Sequence, residues 1–247
     1  MYSLKVLDNV PYVSKSSDMP FDYIVLCTKN VPDAGLSLCE LISPAVSVGH
    51  SVIVPIQNGL NIEKPFLAQF PDNIVLSGVS RIDAHEISPG VIEQKDNDNL
   101  RIGIFNNPRF DEASQENAAY LFIEAYNAGG LEGCFYEPHV ALDRWCKLVY
   151  NATFNAISAL TGVNMGDLCL VNGIINDLLV PAMNEVVHVA ETKGFHVPKE
   201  IIHDTLHAID IEQRICTSMQ MDVEKVSISQ LIYESWKFCT ANYYIRV

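Results

Sequence analysis

The chain has 247 residues, 30 acidic against 16 basic side chains, a net charge of −14 and a hydrophobic fraction of 49%. That fraction is too high for a disordered chain, and the length allows one large domain or two small ones without a disulfide or metal staple. The acidic balance speaks against nucleic acid, whose phosphates need clustered Lys and Arg, and against an anionic membrane surface.

The first half alternates between strand and helix patterns. FDYIVLCTK (21–29) is a compact apolar run of the kind a strand buried on both faces requires, and it ends on Lys29. A helix is expected from Pro32 or Asp33 to Leu41, with Pro near its start and Asp in its first turn. HSVIVPIQNG (50–59) is a second β-branched run, stopped by Asn58-Gly59. A short helix follows over 62–70, and a third strand begins within 73–87. Pro89-Gly90 turns that strand into VIEQK, and LRIGIF (100–105) is a further strand. Residues 107–130 read as a helix with a Gly129-Gly130 stop, and GCFYE closes the half.

From Pro138 the periodicity is helical throughout. Helices are expected over 142–160, over 171–195 with a kink at Pro181, and over 199–215. The order predicts an α/β domain at 1–137 and an all-α domain at 138–247. Between Lys147 and Asp167 no residue is charged, yet Asn151, Thr153, Asn155, Ser158, Thr161 and Asn164 interrupt the apolar run. A bilayer span wants about 20 mostly apolar residues, so this stretch reads as a buried helix and not a membrane helix.

Seven cysteines are scattered, odd in number and without a C-x-x-C, from Cys27 to Cys239. They suit a reducing cytoplasm better than a disulfide framework or a zinc site. The first residues, MYSLKVLDNVPYV, hold no long apolar stretch of the kind a signal peptide needs.

Lys147, Asn151 and Asn155 stand at i, i+4 and i+8, which puts them on one face of a helix whose remainder is apolar. A buried polar stripe must be hydrogen-bonded, and a protonated Lys held by amides is suited to protonate a carbonyl oxygen. The same spacing also fits a Lys snorkelling to solvent and two Asn bonded to nearby backbone. Gln57-Asn58-Gly59 and Lys29 each follow a predicted strand at its carboxyl end, where ligands of open α/β sheets bind, though Asn-Gly also serves as a plain turn. His203 and His207 are an i, i+4 pair with no evident third ligand, so a solvated helix face is the expectation and no metal site is assigned. Asn151-Ala-Thr153 matches a glycosylation acceptor by chance, inside an apolar helix. No G-x-G-x-x-G and no G-x-x-x-x-G-K-[ST] occurs among the 13 glycines.

DYIVLCTK, VIVPIQNGL, SGVSRIDAHEISPGVIEQ and LRIGIF resemble the later part of the nucleotide-binding domain of the ketopantoate reductase (2-dehydropantoate 2-reductase) family. DRWCKLVYNATFNAISALTG resembles the opening helix of that family's C-terminal domain, and PAMNEVVHVAETKGF and SMQMDV continue the match in order, over roughly 21–223. The resemblance implies a Rossmann-like domain followed by a helical one. It implies reduction of ketopantoate to pantoate with NADPH, on the route to pantothenate, on a small-molecule 2-keto acid. It gives Lys147 the role of general acid. Asn151 and Asn155 become the amides that touch substrate, and Ser218 the residue on its carboxylate. Asn58 and Lys29 become the cofactor contacts. A homodimer is admitted.

The resemblance also implies departures. The family opens with a glycine-rich strand–turn–helix, and about 60 to 80 residues of such a βαβ start are expected to be missing, leaving an incomplete doubly wound sheet. Near the other end the family carries an acid where this chain has Gln230, with Glu224 and Glu234 as neighbours that could replace it. Two alternatives therefore stand beside the reductase: a non-catalytic fragment or decayed paralogue acting at most as a dimerisation module, and a reductase of another 2-keto acid.

Overall fold

The computed structural model describes residues 7, 9–13, 19–31, 36–88, 90–130, 132–212 and 214–224. They fall into two compact units, Met1–Val140 and Ala141–Val247. In chain order the first holds β1 (Tyr23–Leu26), α1 (Leu38–Ile42), β2 (Val52–Pro55), α2 (Lys64–Gln69), β3 (Leu76–Ser80), β4 (Ala84–Ser88), β5 (Val91–Gln94), β6 (Leu100–Ile104), α3 (Glu112–Asn127) and β7 (Cys134–Tyr136). From the junction onward come α4 (Val140–Tyr150), α5 (Ala156–Thr161), α6 (Met165–Leu170), α7 (Val180–Thr192), α8 (Ile201–His207) and α9 (Ser218–Glu224).

In the first unit β1 and β2 pair in parallel, with Tyr23 opposite Val52 and Leu26 opposite Pro55. Ile53 forms a parallel bridge to Val75, just ahead of β3, which joins this pair to the antiparallel β3–β6 and parallel β6–β7 ladders. The hairpin of β4 and β5 stands apart from that sheet. Alternate residues face opposite sides of a strand. Val52, Val54, Leu76, Leu100 and Ile102 therefore pack with Ala118, Ala119 and Phe122 of α3. Leu26, Ile53 and Val75 face the other way, onto Cys39 and Ile42 of α1 and Phe66 of α2. Helices cover both faces, which is why β2 is apolar without alternation; each fully buried Ile or Leu contributes roughly 1.5–3 kcal/mol. Gly103 in β6 is required by close approach, because a Cβ there would lie 2.3 Å from the Glu137 carbonyl oxygen and 2.6 Å from Val140.

The amino ends of the parallel strands are tied by a buried amide network. Asn73 Nδ2 donates to the carbonyls of Ser47 and Ser51, and Asn107 Nδ2 donates to those of Pro71 and Asn73. The fully buried Gln115 closes it, its Oε1 accepting from the Asn107 N–H at 2.8 Å.

Several boundaries differ from expectation. The strand expected within 73–87 is two strands, because the chain changes partner from β6 to β5 across 81–83. Of the helix expected from Pro32 or Asp33 to Leu41, residues 32–35 lie outside the described residues, and the helix starts at Leu38, where Ser37 and Glu40 form a reciprocal capping box. The helix expected over 142–160 is not uniformly α-helical: Asn151–Asn155 is a π turn between α4 and α5. A second π turn, Ile175–Leu179, runs directly into α7, so Pro181, where a kink is expected, stands just where the π turn gives way to α-helix. The helix expected over 199–215 ends at His207, beyond which Asp210 accepts from the Glu212 N–H at 3.0 Å. Cys239, Gln230 and Glu234 lie outside the described residues.

The helical unit buries Phe154, Leu179, Met183 and Met219 completely. α9 packs on α5 and on the Asn151–Asn155 turn, and α7 packs on that same turn. Among the described residues no helix is long and apolar enough to cross a membrane.

Candidate active site

Parallel pairing decides where the first-unit candidates emerge. Lys29 and Asn58 each lie three residues beyond the paired Leu26 and Pro55, so both leave the same edge of the sheet, at its carboxyl ends. Lys29 is exposed, Asn58 and Gly59 are half-buried, and Gln57 is buried. Gly59 has φ +111°, a left-handed conformation that lets the loop reverse before α2. Below this loop Glu63 is only 2% exposed and accepts from Ser77 Oγ at 2.5 Å, tying the loop to β3. Sequence reasoning missed Glu63, since an acid just before a Lys-Pro helix start looks like ordinary first-turn chemistry.

In the helical unit Lys147 is half-buried in the last turn of α4, while Asn151 and Asn155 are 4% and 1% exposed. Asn155 Nδ2 donates to Asn151 Oδ1 at 2.9 Å. In a plain α-helix residues four apart drift by about 40° around the axis. The wider π turn, bonded i to i+5, offsets part of that drift and holds the stripe in line; such turns frequently mark functional sites. The two Asn thus bond each other. Among the described residues Asn155 Oδ1 and Ser158 Oγ have no hydrogen-bond partner. Ser158 was passed over as one of several polar residues interrupting an apolar helix; its position three residues after Asn155 is the signal that could have found it.

Ser218 is exposed at the first position of α9, the helix that packs on the Asn151–Asn155 turn. Glu224, at the other end of α9, accepts from Gln220 Nε2 at 3.3 Å. His203 and His207 stack with centroids 3.8 Å apart on an exposed face, and no group of three or more potential metal ligands occurs among the described residues.

The arrangement matches a known family over most of its length. The family model described as Ketopantoate reductase PanE/ApbA matches residues 3–107, and its C-terminal counterpart matches 139–230. The chain belongs to the ketopantoate reductase family. A similar relative is an uncharacterised protein of Saccharomyces cerevisiae, 30% identical over 88% of this chain and 65% of its own length. The chain therefore spans just under two thirds of that curated relative. The crystal structure of 2-dehydropantoate 2-reductase from Methylococcus capsulatus is similar at TM-score 0.75 and 27% identity, over 93% of this chain and 70% of that one. A ternary structure of D-mandelate dehydrogenase with NADH and anilino(oxo)acetate shares the fold, at TM-score 0.77 and 16% identity, over 93% of this chain and 72% of that one. The ketopantoate reductase fold, a Rossmann-like α/β unit followed by an all-helical one, is the fold described above.

Proposed function

We propose that this chain acts in the NADPH-dependent reduction of 2-dehydropantoate to pantoate, in the cytoplasm and as a homodimer. The observation that carries the reading is the Lys147–Asn151–Asn155 stripe, with its two buried amides joined in a π turn. NADPH held beside Lys29 and Asn58 would be the source of the hydride that the carbonyl carbon takes up. Lys147 supplies the proton to the carbonyl oxygen and becomes neutral as the alkoxide becomes an alcohol. Asn151 and Asn155 orient the substrate beside the ammonium, and Ser218 takes the carboxylate.

The fit to the cofactor is partial and specific. Lys29 and Asn58 stand together at the carboxyl edge of the sheet, and Gly59 allows close backbone approach there. The sequence holds no G-x-G-x-x-G, so no residue is assigned to the pyrophosphate. The six described cysteines are free thiols, as a reducing compartment allows.

The test is NADPH oxidation, followed by absorbance, on adding 2-dehydropantoate to the purified chain, with Lys147→Ala as control. The expected result is a rate that the substitution abolishes. A rate no higher than that of Lys147→Ala overturns the reading. Light scattering on the eluting protein decides between dimer and monomer.

A further inference from the structure

Two hydroxyl-bearing neighbours of Ser158 behave differently from it. Thr153 Oγ1 donates to the Val149 carbonyl at 2.6 Å and Thr161 Oγ1 to the Ile157 carbonyl at 2.8 Å, each bonding back one turn. Ser158 does not, although it is completely buried. An unsatisfied buried hydroxyl destabilises a fold, so it calls for a partner. Asn155 Oδ1, an acceptor on a side chain 1% exposed, has the same need. Residues three apart on a helix are surface neighbours, with Cβ atoms about 5–6 Å apart. One water can reach both oxygens across such a gap, and buried waters characteristically satisfy groups of this kind.

We propose that Ser158 is the positioning residue of the Asn155 amide, acting through one buried water bonded to Ser158 Oγ and Asn155 Oδ1. The amide then has a single orientation. Its oxygen faces the water and its Nδ2 faces Asn151 Oδ1, the bond seen at 2.9 Å. With that oxygen engaged, Asn151 keeps its own Nδ2 donors for a ligand. Order passes from Ser158 to Asn155 to Asn151, the residue four positions from Lys147. Without Ser158 the Asn155 amide can turn over, and its oxygen would then oppose that of Asn151. The ligand-binding consequence rests on the function proposed above; the amide geometry does not.

The test uses the full chain with Ser158→Ala and Ser158→Thr. Nitrogen-15 spectra read the Asn155 side-chain amide pair directly, assigned by its disappearance in Asn155→Asp. In Ser158→Ala the pair moves toward the position of a free amide and its solvent exchange speeds at least tenfold, while backbone signals of α7 keep their places. Ser158→Thr restores both values. An Asn155 pair unchanged in Ser158→Ala overturns the proposal, as does a Ser158→Thr variant that behaves like Ser158→Ala. Calorimetric titration with 2-dehydropantoate adds a second reading: binding weakens about tenfold in Ser158→Ala and recovers in Ser158→Thr. A wild-type chain that binds no 2-dehydropantoate overturns the proposed function, and the amide spectra still decide the role of Ser158.

Discussion

Asn155 donates to Asn151 across a single π turn, and this bond joins the two buried amides of the helical unit's polar stripe. Asn155→Leu keeps the branched heavy-atom shape of the side chain and removes the donor, leaving Asn151 Oδ1 buried without it. The loss is expected at about 1–3 kcal/mol in urea unfolding. Changing both residues to Leu should cost less than the two single losses combined, since neither oxygen is then left unmet. Strict additivity would show that the bond contributes nothing.

Lys147→Ala is expected to lower kcat by about 10²–10⁴, the range for removing a general acid, while KM changes little. Lys147→Arg should be almost as slow, because a guanidinium keeps its proton at any working pH. Near-normal turnover in the arginine variant would remove proton donation from the role of Lys147.

Helix starts set an acid-sensitive part of the stability. Asp111 accepts from Ser114 Oγ and from the Ser114 N–H at the start of α3, and these bonds hold its carboxyl below the usual aspartate value of 3.8. The Ser37 hydroxyl and N–H likewise hold Glu40 below 4.5. A depressed native value means that the unfolded chain takes up protons first as pH falls. The contribution is therefore complete above about 4.5 and is lost as pH drops through the lower native values. Asp111→Asn should flatten this acid limb in a pH series of unfolding midpoints, and a limb of unchanged slope would contradict it.

Burial, then the nearby Asp98 charge, pushes the Cys134 thiol up to about 12. It is 1% exposed. Native protein treated with iodoacetamide at pH 8 should carry label at the exposed Cys27 and none at Cys134 until denaturant is added, by peptide mass spectrometry.

Gly103→Ala forces a methyl group into the Glu137 carbonyl. Overpacking of this kind costs about 1–3 kcal/mol, so the thermal midpoint should fall clearly. Gly129→Ala, where a Cβ meets nothing within 4 Å, is the matched control and should leave the midpoint nearly unchanged.

The strands were legible because their apolar runs are contiguous and bounded: β1, β2 and β6 each fall inside the predicted windows. The alternation of layers was legible for the same reason. The π turns were not. No Pro or Gly occurs between Asp143 and Thr161, and an extra residue in a helical turn leaves no trace in composition. The amide network of Asn73, Asn107 and Gln115 was hidden differently, because Asn in a loop suggests a turn before it suggests a buried bond across 34 residues. The stripe itself could be read from spacing. Its internal bond, and the unmatched hydroxyl of Ser158, depended on side-chain geometry that spacing does not fix.

A π turn is an α-helix that holds one surplus residue. A π turn is wide enough to take that residue up, five residues covering nearly the arc that four cover in an α-helix, so α5 leaves the turn in almost the phase it would have without it. Deleting Ala152 would therefore leave α4 and α5 close to their present alignment and shift only the residues inside the turn, bringing Asn155 to three positions from Asn151. The surplus residue is a local swelling: it sets the spacing of the two amides while Lys147 and the face of α5 that meets α9 keep their directions.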